Sequence, residues 1–153
     1  MPETVSTPAV VSADLYQEIH QFYARHMYAG DSGDLDGWAA GFTEDAVFVS
    51  NGLPEPLEGR AAIDAATRAG HAARAGRGAV HRHIVTMLDV RPQDADSVAT
   101  RSYVLVVESV PEGGSKLHVS TVLEDRLVRA DDGWRVAGRW VSRDDLPAAP
   151  ATS

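Results

Sequence analysis

The chain has 153 residues, which is enough for one domain with its own core and short for two of ordinary size. Its 14 basic and 22 acidic residues give a formal net charge of -8. This charge disfavours nucleic acid and anionic membranes as partners, because their phosphates would be repelled. The lack of cysteine excludes disulfides, thiol nucleophiles and thiolate metal ligands.

The two ends of the chain are poor in residues that could be buried. Residues 1–11 and 147–153 are rich in Pro, Ala, Thr and Ser, so we expect flexible tails on either side of one domain over residues 12–146. No segment has the long uncharged apolar run of a signal peptide or a membrane span. We therefore expect a cytoplasmic protein.

The first part of the domain predicts a helical hairpin. Ser12 is a good N-cap for a long amphipathic helix that continues to Gly30. One face of this helix carries a largely apolar stripe at helical spacing, formed by Leu15, Ile19, Phe22, Tyr23, His26 and Met27. The turn after Gly30 leads to Asp34, which caps a short second helix. The two helices should pack against each other.

Strand patterns dominate the rest of the chain. Residues 46–50 predict a strand, residues 51–59 a loop, and residues 60–75 an alanine-rich third helix. Four further strands are predicted at residues 80–90, 98–109, 117–130 and 134–143. The hairpin turn Asp131-Asp132-Gly133 separates the last two. Helices followed by an antiparallel meander favour an α+β fold with the helices on one face of the sheet.

The first long strand opens with two histidines at alternate positions. The period of a strand places His81, His83, Val85 and Met87 on one face, as in the wall of a small-molecule pocket. His-x-His can also hold a metal, but no carboxylate follows on this strand at the spacing that cupin barrels use. We therefore expect no metal site. No Gly-rich phosphate loop follows a strand, which disfavours a nucleotide cofactor. We expect a protein that uses no cofactor.

The last two strands carry charged residues on both faces. Asp125 shares a face with Leu123 and Leu127, and we expect the charged residues of either face to be solvated. Arg139 and Arg143 share a face of the last strand. Either could bind a carboxylate or enolate oxygen, or could pair with nearby acids.

The order of several short motifs points to a known family. These motifs are Tyr23-Ala24-Arg25, Asp31-Ser32-Gly33-Asp34, Phe42-Thr43-Glu44-Asp45-Ala46-Val47-Phe48, Leu57-Glu58-Gly59-Arg60-Ala61-Ala62-Ile63, Arg82-His83-Ile84-Val85-Thr86 and Asp132-Gly133-Trp134-Arg135-Val136-Ala137. Over residues 14–145 the chain resembles the SnoaL-like branch of the nuclear-transport-factor-2-like superfamily. The resemblance implies a cone-shaped, curved antiparallel sheet with three helices from the N-terminal half closing a pocket.

Within this superfamily the closest pattern resembles the scytalone dehydratase and bile-acid dehydratase group. The resemblance implies that Asp31, at the end of the first helix, and His83 act together, and that Tyr23 offers a hydroxyl to the pocket. Where scytalone dehydratase has a second histidine, this chain reads Thr100-Arg101-Ser102-Tyr103. A general acid–base pocket is still expected, without a firm assignment to dehydration.

The expected catalytic residues are His83, Asp31 and Tyr23. His83 would remove a proton next to a carbonyl, Asp31 would orient the imidazole, and Tyr23 would hydrogen-bond the enolate. Other readings remain open, since Asp31 could be a plain turn residue and Tyr23 a core residue. The residues expected to contact substrate are His81, His26, Met87, Tyr103 and Arg139. Of these, His81 could lie at the rim and His26 could be structural.

The function these features favour is that of a cofactor-independent dehydratase, isomerase or cyclase. Its substrate would be a small polyketide-like or polycyclic molecule of secondary metabolism. One alternative is a non-catalytic small-molecule-binding or accessory protein of a biosynthetic pathway. Another is epoxide opening, for which Arg101 with Asp31 or Asp125 could supply the groups. We also expect a homodimer through the sheet face that carries Trp140.

Overall fold

Three helices and six strands make up residues 10–148, the part of the chain that the computed structural model describes. The helices are α1 (Ala13–Ser32), α2 (Leu35–Ala40) and α3 (Arg60–Gly76). The strands are β1 (Phe42–Ser50), β2 (Leu57–Glu58), β3 (Val80–Asp94), β4 (Ser97–Val110), β5 (Gly114–Ala130) and β6 (Gly133–Arg143). Apart from residues 10, 11, 147 and 148, the two expected tails lie outside the described residues.

The strands form one curved sheet in the order β2-β1-β6-β5-β4-β3. The strands from β3 to β6 make the expected antiparallel meander, whereas β1 pairs with β6 in parallel, so the sheet is mixed. The α+β class is confirmed. The short strand β2 lies inside the segment that we predicted as a loop, where Leu57 pairs with Phe48 of β1. The sheet is unclosed, with β2 and β3 as its edges.

The helical hairpin forms where the capping residues predict it. The Ser12 hydroxyl accepts a hydrogen bond from the Leu15 amide at 3.1 Å, and the Asp34 carboxylate accepts one from Gly37 at 3.0 Å. Gly33 ends α1 in the left-handed conformation, with φ of 85°, which favours glycine. The helix continues to Ser32, so Asp31 lies in its last turn and its side chain is held by regular helical backbone.

The core lies between α1, α3 and the inner face of the sheet. Burial alternates along β4, which assigns Thr100, Ser102 and Val104 to the inner face and Tyr103 to the outer one. The largest fully buried side chains are Tyr23, Phe42, Ile19, Ile63, Leu127, Val98 and Val136. The hydrophobic stripe of α1 thus packs on the sheet, as its helical period predicts.

Irregular pairing changes which residues of β3 face inward. His81, His83 and Val85 follow the expected alternation, but the register shifts between Thr86 and Asp89. Met87 lies in this bulge with φ of 54° and is 72% exposed. The expectation that Met87 shares the histidine face is therefore wrong, because one extra residue reverses the alternation. Beyond the bulge the inward residues are Leu88 and Val90.

Candidate active site

A cavity of about 630 Å³ lies between the helices and the inner face of the sheet. Its apolar wall includes Met27, Trp38, Phe48, Leu57, Ile63, Val104, Leu123 and Val141. Its polar wall includes Asp31, His71, Arg74, His81, His83, His118, Thr121, Arg139 and Arg143. A cavity of this size with a few convergent polar groups is typical of a small-molecule site.

Asp31 and His83 make a close imidazole–carboxylate pair on the cavity wall. One Asp31 oxygen is 2.6 Å from His83 Nδ1, and the other accepts the backbone N–H of His83 at 2.9 Å. The two contacts join the last turn of α1 to β3 and hold the carboxylate in one orientation. The carboxylate accepts the Nδ1 proton, so Nε2 of the neutral ring is the nitrogen that can take a proton.

A second polar group, buried beneath the cavity, joins α1 to three strands. Asp125 accepts hydrogen bonds from Arg139 Nε at 2.9 Å, from Arg139 Nη2 at 2.8 Å and from the Tyr23 hydroxyl at 2.7 Å. Thr100 Oγ1 lies 2.5 Å from the same hydroxyl, and Arg139 Nη1 lies 3.2 Å from His26 Nε2. We call these five residues the buried network. The expectation that the charged residues of β5 are solvated is wrong at Asp125, which is 3% exposed.

Burial and charge hold two members of the buried network in their neutral forms. Burial, followed by the negative charge of Asp125, raises the pKa of Tyr23 well above its usual value. Burial, followed by the positive charge of Arg139, lowers the pKa of His26 well below its usual value. The Tyr23 hydroxyl and the His26 ring thus serve as neutral partners of the buried ion pair.

The outer end of the cavity carries a third group of titratable residues. His81 Nε2 lies 2.8 Å from a Glu108 oxygen, and the Arg77 guanidinium lies 3.3 Å from the same oxygen. These two partners lower the pKa of Glu108 to about 2. Burial lowers the pKa of His81, against an opposing effect of the Glu108 hydrogen bond. His118 is 4.0 Å from the same Glu108 oxygen.

The structure brings only part of the predicted site together. Asp31, His83, His81 and Arg139 line the cavity. Tyr23 and His26 lie behind its wall in the buried network. Two expected substrate contacts, Met87 and Tyr103, are exposed and do not line the cavity. Tyr103 lies on the outer face because the alternation of β4 turns Thr100, Ser102 and Val104 inward.

Sequence analysis misjudged one polar residue of this region and assigned no role to three others. Asp125 was expected to be solvated, although its alternation with the strongly apolar Leu123 and Leu127 indicates the inner face. The other three are Thr100, in the buried network, and Glu108 and His118, at the outer end of the cavity. No alternation of apolar residues indicates that His118 faces the cavity, because it lies at a register shift of the β4–β5 pair between Leu117 and Val119.

A family model described as SnoaL-like domain matches residues 11–140. The chain belongs to the SnoaL-like family. This match confirms the family that the short sequence motifs indicated. No curated protein matches the chain.

Several solved structures are similar to this SnoaL-like chain. Aln2 from a Streptomyces species is 34% identical with a TM-score of 0.83, over 90% of this chain and 96% of Aln2. A Catenulispora acidiphila protein in complex with S-DNPA is 34% identical with a TM-score of 0.74, over 88% and 96% of the two chains. ActVI-ORFA from Streptomyces coelicolor is 29% identical with a TM-score of 0.78, over 88% and 100%.

Within residues 10–148, no helix combines the length and the apolar character needed to cross a bilayer.

Proposed function

We propose that this SnoaL-like protein is a cofactor-independent acid–base enzyme, a dehydratase, isomerase or cyclase. The observation that carries the proposal is the Asp31–His83 pair on the wall of the cavity. The Asp31 carboxylate lies 2.6 Å from His83 Nδ1 and so occupies that side of the imidazole. A histidine held in this way can take a proton at Nε2, and the carboxylate stabilises the imidazolium that forms. Deprotonation next to a carbonyl would begin the reaction.

The negative charge that develops on the substrate needs a partner in the cavity. The Tyr23 hydroxyl is engaged by Asp125 and Thr100, so we assign Tyr23 to positioning and assign the enolate to Arg139. Arg139 lines the cavity, and three of its five N–H groups are used within the buried network. The remaining N–H groups can donate hydrogen bonds to an oxyanion, while Asp125 holds the guanidinium in place.

The proposed substrate is a small polyketide-like or polycyclic molecule. The cavity of about 630 Å³ has largely aliphatic and aromatic walls, which suit a fused-ring molecule with few polar groups. The complex of the Catenulispora acidiphila protein with S-DNPA makes S-DNPA the first ligand to test. A place in secondary metabolism is part of the same proposal.

Deuterium exchange tests the proton-transfer step whatever the product is. A panel of hydroxylated polyketide-like ketones is incubated with the protein in D₂O containing EDTA, and exchange next to the carbonyl is followed by NMR. We expect exchange above the buffer rate, and we expect His83→Ala to lower it by about 100-fold or more, the scale of a general base. Asp31→Asn should lower it as well.

His20→Ala is the matched control for this assay, because it removes an imidazole of α1 that does not line the cavity. Its exchange rate should equal that of the wild type. If His83→Ala exchanges substrate as fast as the wild type while keeping its fold, His83 is not the base.

A binding or accessory role is the second candidate. It is favoured by the buried network, which uses the Tyr23 hydroxyl that the dehydratase resemblance assigns to the pocket. This role predicts tight binding of S-DNPA or a related ligand, with the ligand recovered unchanged and no deuterium exchange. Epoxide opening through Arg101 is not supported, because Arg101 is exposed and lies 3.6 Å from Glu124 on the outer face.

We also propose that the outer face of the sheet forms a homodimer. Tyr103, Ile84, Leu117 and Trp140 are exposed there, and together they would bury apolar surface against a second copy. Light scattering at micromolar concentration should give about twice the 16.4 kDa mass of the chain. A mass of one chain would reject the dimer, and Trp140→Glu should weaken it.

A further inference from the structure

The group at the outer end of the cavity combines metal-binding side chains from three strands. His81 comes from β3, Glu108 from β4 and His118 from β5, and one possible ligand atom of each lies within 4.8 Å of the others. β4 lies between the other two strands, and Glu108 pairs with His81 across the β3–β4 ladder. The sheet therefore fixes the spacing of the backbones that carry all three side chains.

The donor set is that of an open metal site. Two imidazole nitrogens and one carboxylate oxygen are ligands that Zn²⁺ and related divalent ions bind. Three protein ligands leave a fourth position free, as in catalytic zinc sites. His81 and His118 both line the cavity, so the free position would face the space where a small molecule binds.

We propose that His81, Glu108 and His118 bind a divalent transition-metal ion, with Zn²⁺ as the best fit to the donor set. The donors of a tetrahedral zinc site are separated by about 3.4 Å, the spacing that Zn–N distances of about 2.1 Å require. His81 Nε2 and the Glu108 oxygen are 2.8 Å apart, and His118 Nδ1 lies 4.0 Å from that oxygen. An ion would require the His81–Glu108 contact to open by about 0.6 Å and His118, whose side chain is 40% exposed, to move closer by about 0.6 Å.

The positive charge of Arg77 would repel a metal ion at this position, and this repulsion provides a test of the proposal. Its guanidinium lies 3.3 Å from the same Glu108 oxygen that would bind the metal, and its side chain is half exposed. Arg77 follows the last residue of α3, where a long side chain can turn towards solvent. Removing its charge should favour the metal, whereas it would weaken a cluster held together only by ion pairs.

The experiment uses the full chain, stripped with EDTA and dialysed, with ZnCl₂ as the titrant in calorimetry. We expect one Zn²⁺ per chain, at least about tenfold weaker binding in His118→Ala, and tighter binding in Arg77→Ala. His71→Ala is the matched control, because it removes another cavity-lining imidazole outside the cluster and should leave the affinity unchanged. Co²⁺ in place of Zn²⁺ should give the visible absorption bands of a four-coordinate site, and His118→Ala should lose them.

Several results would overturn the proposal. They are no binding at millimolar Zn²⁺, equal affinities of the wild type and His118→Ala, or a loss of affinity in His71→Ala as large as that in His118→Ala. The readout is metal binding alone, so it stands or falls separately from the proposed proton transfer, which is assayed in EDTA. His118→Ala carries the test because Glu108 is buried and its replacement could unfold the chain.

Discussion

The Asp31–His83 pair and the buried network contain the same kinds of groups in opposite situations. In the buried network, Asp125 accepts three hydrogen bonds, and its side chain is fully enclosed. In the cavity pair, His83 is 35% exposed, and one side of its ring remains available. A carboxylate whose partners are all satisfied stabilises a fold, whereas a carboxylate that orients a half-exposed imidazole can support chemistry. The two regions should therefore respond differently to substitution.

The largest difference in stability should come from the carboxylate of the buried network. Asp125→Ala leaves the Arg139 charge buried without its partner, and we expect a loss of about 3–5 kcal/mol in the free energy of unfolding. His83→Ala, at the half-exposed pair, should cost about 1 kcal/mol. Urea unfolding of the two variants measures the contrast. Equal losses would show that the cavity pair is also structural.

Tyr23→Phe removes one hydroxyl from the buried network and keeps the ring in the core. Asp125 and Thr100 lose a buried partner, so we expect a loss of about 1.5–3 kcal/mol, the range for hydrogen bonds to charged groups. If Tyr23 only positions Arg139, deuterium exchange should fall far less than in His83→Ala. A loss of exchange as large as that of His83→Ala, in a variant that stays folded, would place the hydroxyl at the substrate.

Acid should weaken the fold through His26. Unfolded His26 takes a proton near pH 6.5, whereas the folded residue has a pKa well below that value because of burial and then the Arg139 charge. The unfolded state therefore binds more protons below pH 6.5, and stability falls as the pH drops through that value, by up to about 1.4 kcal/mol per pH unit.

Urea unfolding at pH 8 and pH 5.5 measures this dependence, and His26→Phe isolates it. Phenylalanine keeps the stacking against Phe22 and Trp38 and cannot titrate. The difference between the two pH values should be smaller in His26→Phe than in the wild type. The same pH dependence in both proteins would show that His26 is not the cause of the lower stability in acid.

The smallest effect should come from an exposed ion pair. Arg68 contacts Asp64 on α3 and Asp36 on α2, and all three side chains reach solvent. Such pairs contribute little in water, so Arg68→Ala should leave the midpoint of urea unfolding close to that of the wild type. A clearly lower midpoint would indicate that the contact between α2 and α3 depends on this pair.

Local patterns in the sequence predicted most elements of the fold. Capping by Ser12 and Asp34, the helical stripe of α1 and the turn before β6 depend on neighbouring residues, and they appear where the sequence places them. The parallel pairing of β1 with β6 was missed, because pairing between distant strands is a tertiary choice. Strand β2 was missed because its two residues leave too short a pattern to detect.

The site was predictable only in part. The placement of Asp31 beside His83 followed from a family resemblance, since 52 positions of chain separate the two residues. Met87 was misplaced because a bulge reversed the alternation of β3. The group of His81, Glu108 and His118 was not foreseen, because a third ligand was sought along one strand, whereas the sheet supplies it from two others.

The sequence by itself determined the α+β class, the helical hairpin, the meander and the residue types available for chemistry, because these follow from local periodicity, capping and composition. Only the tertiary structure decided which polar residues meet. It buried Asp125 with Arg139, left His83 at a cavity, and turned Tyr103 and Met87 to solvent. Those outcomes depend on strand register, on bulges and on the packing of α1 across the sheet, none of which a short stretch of sequence encodes.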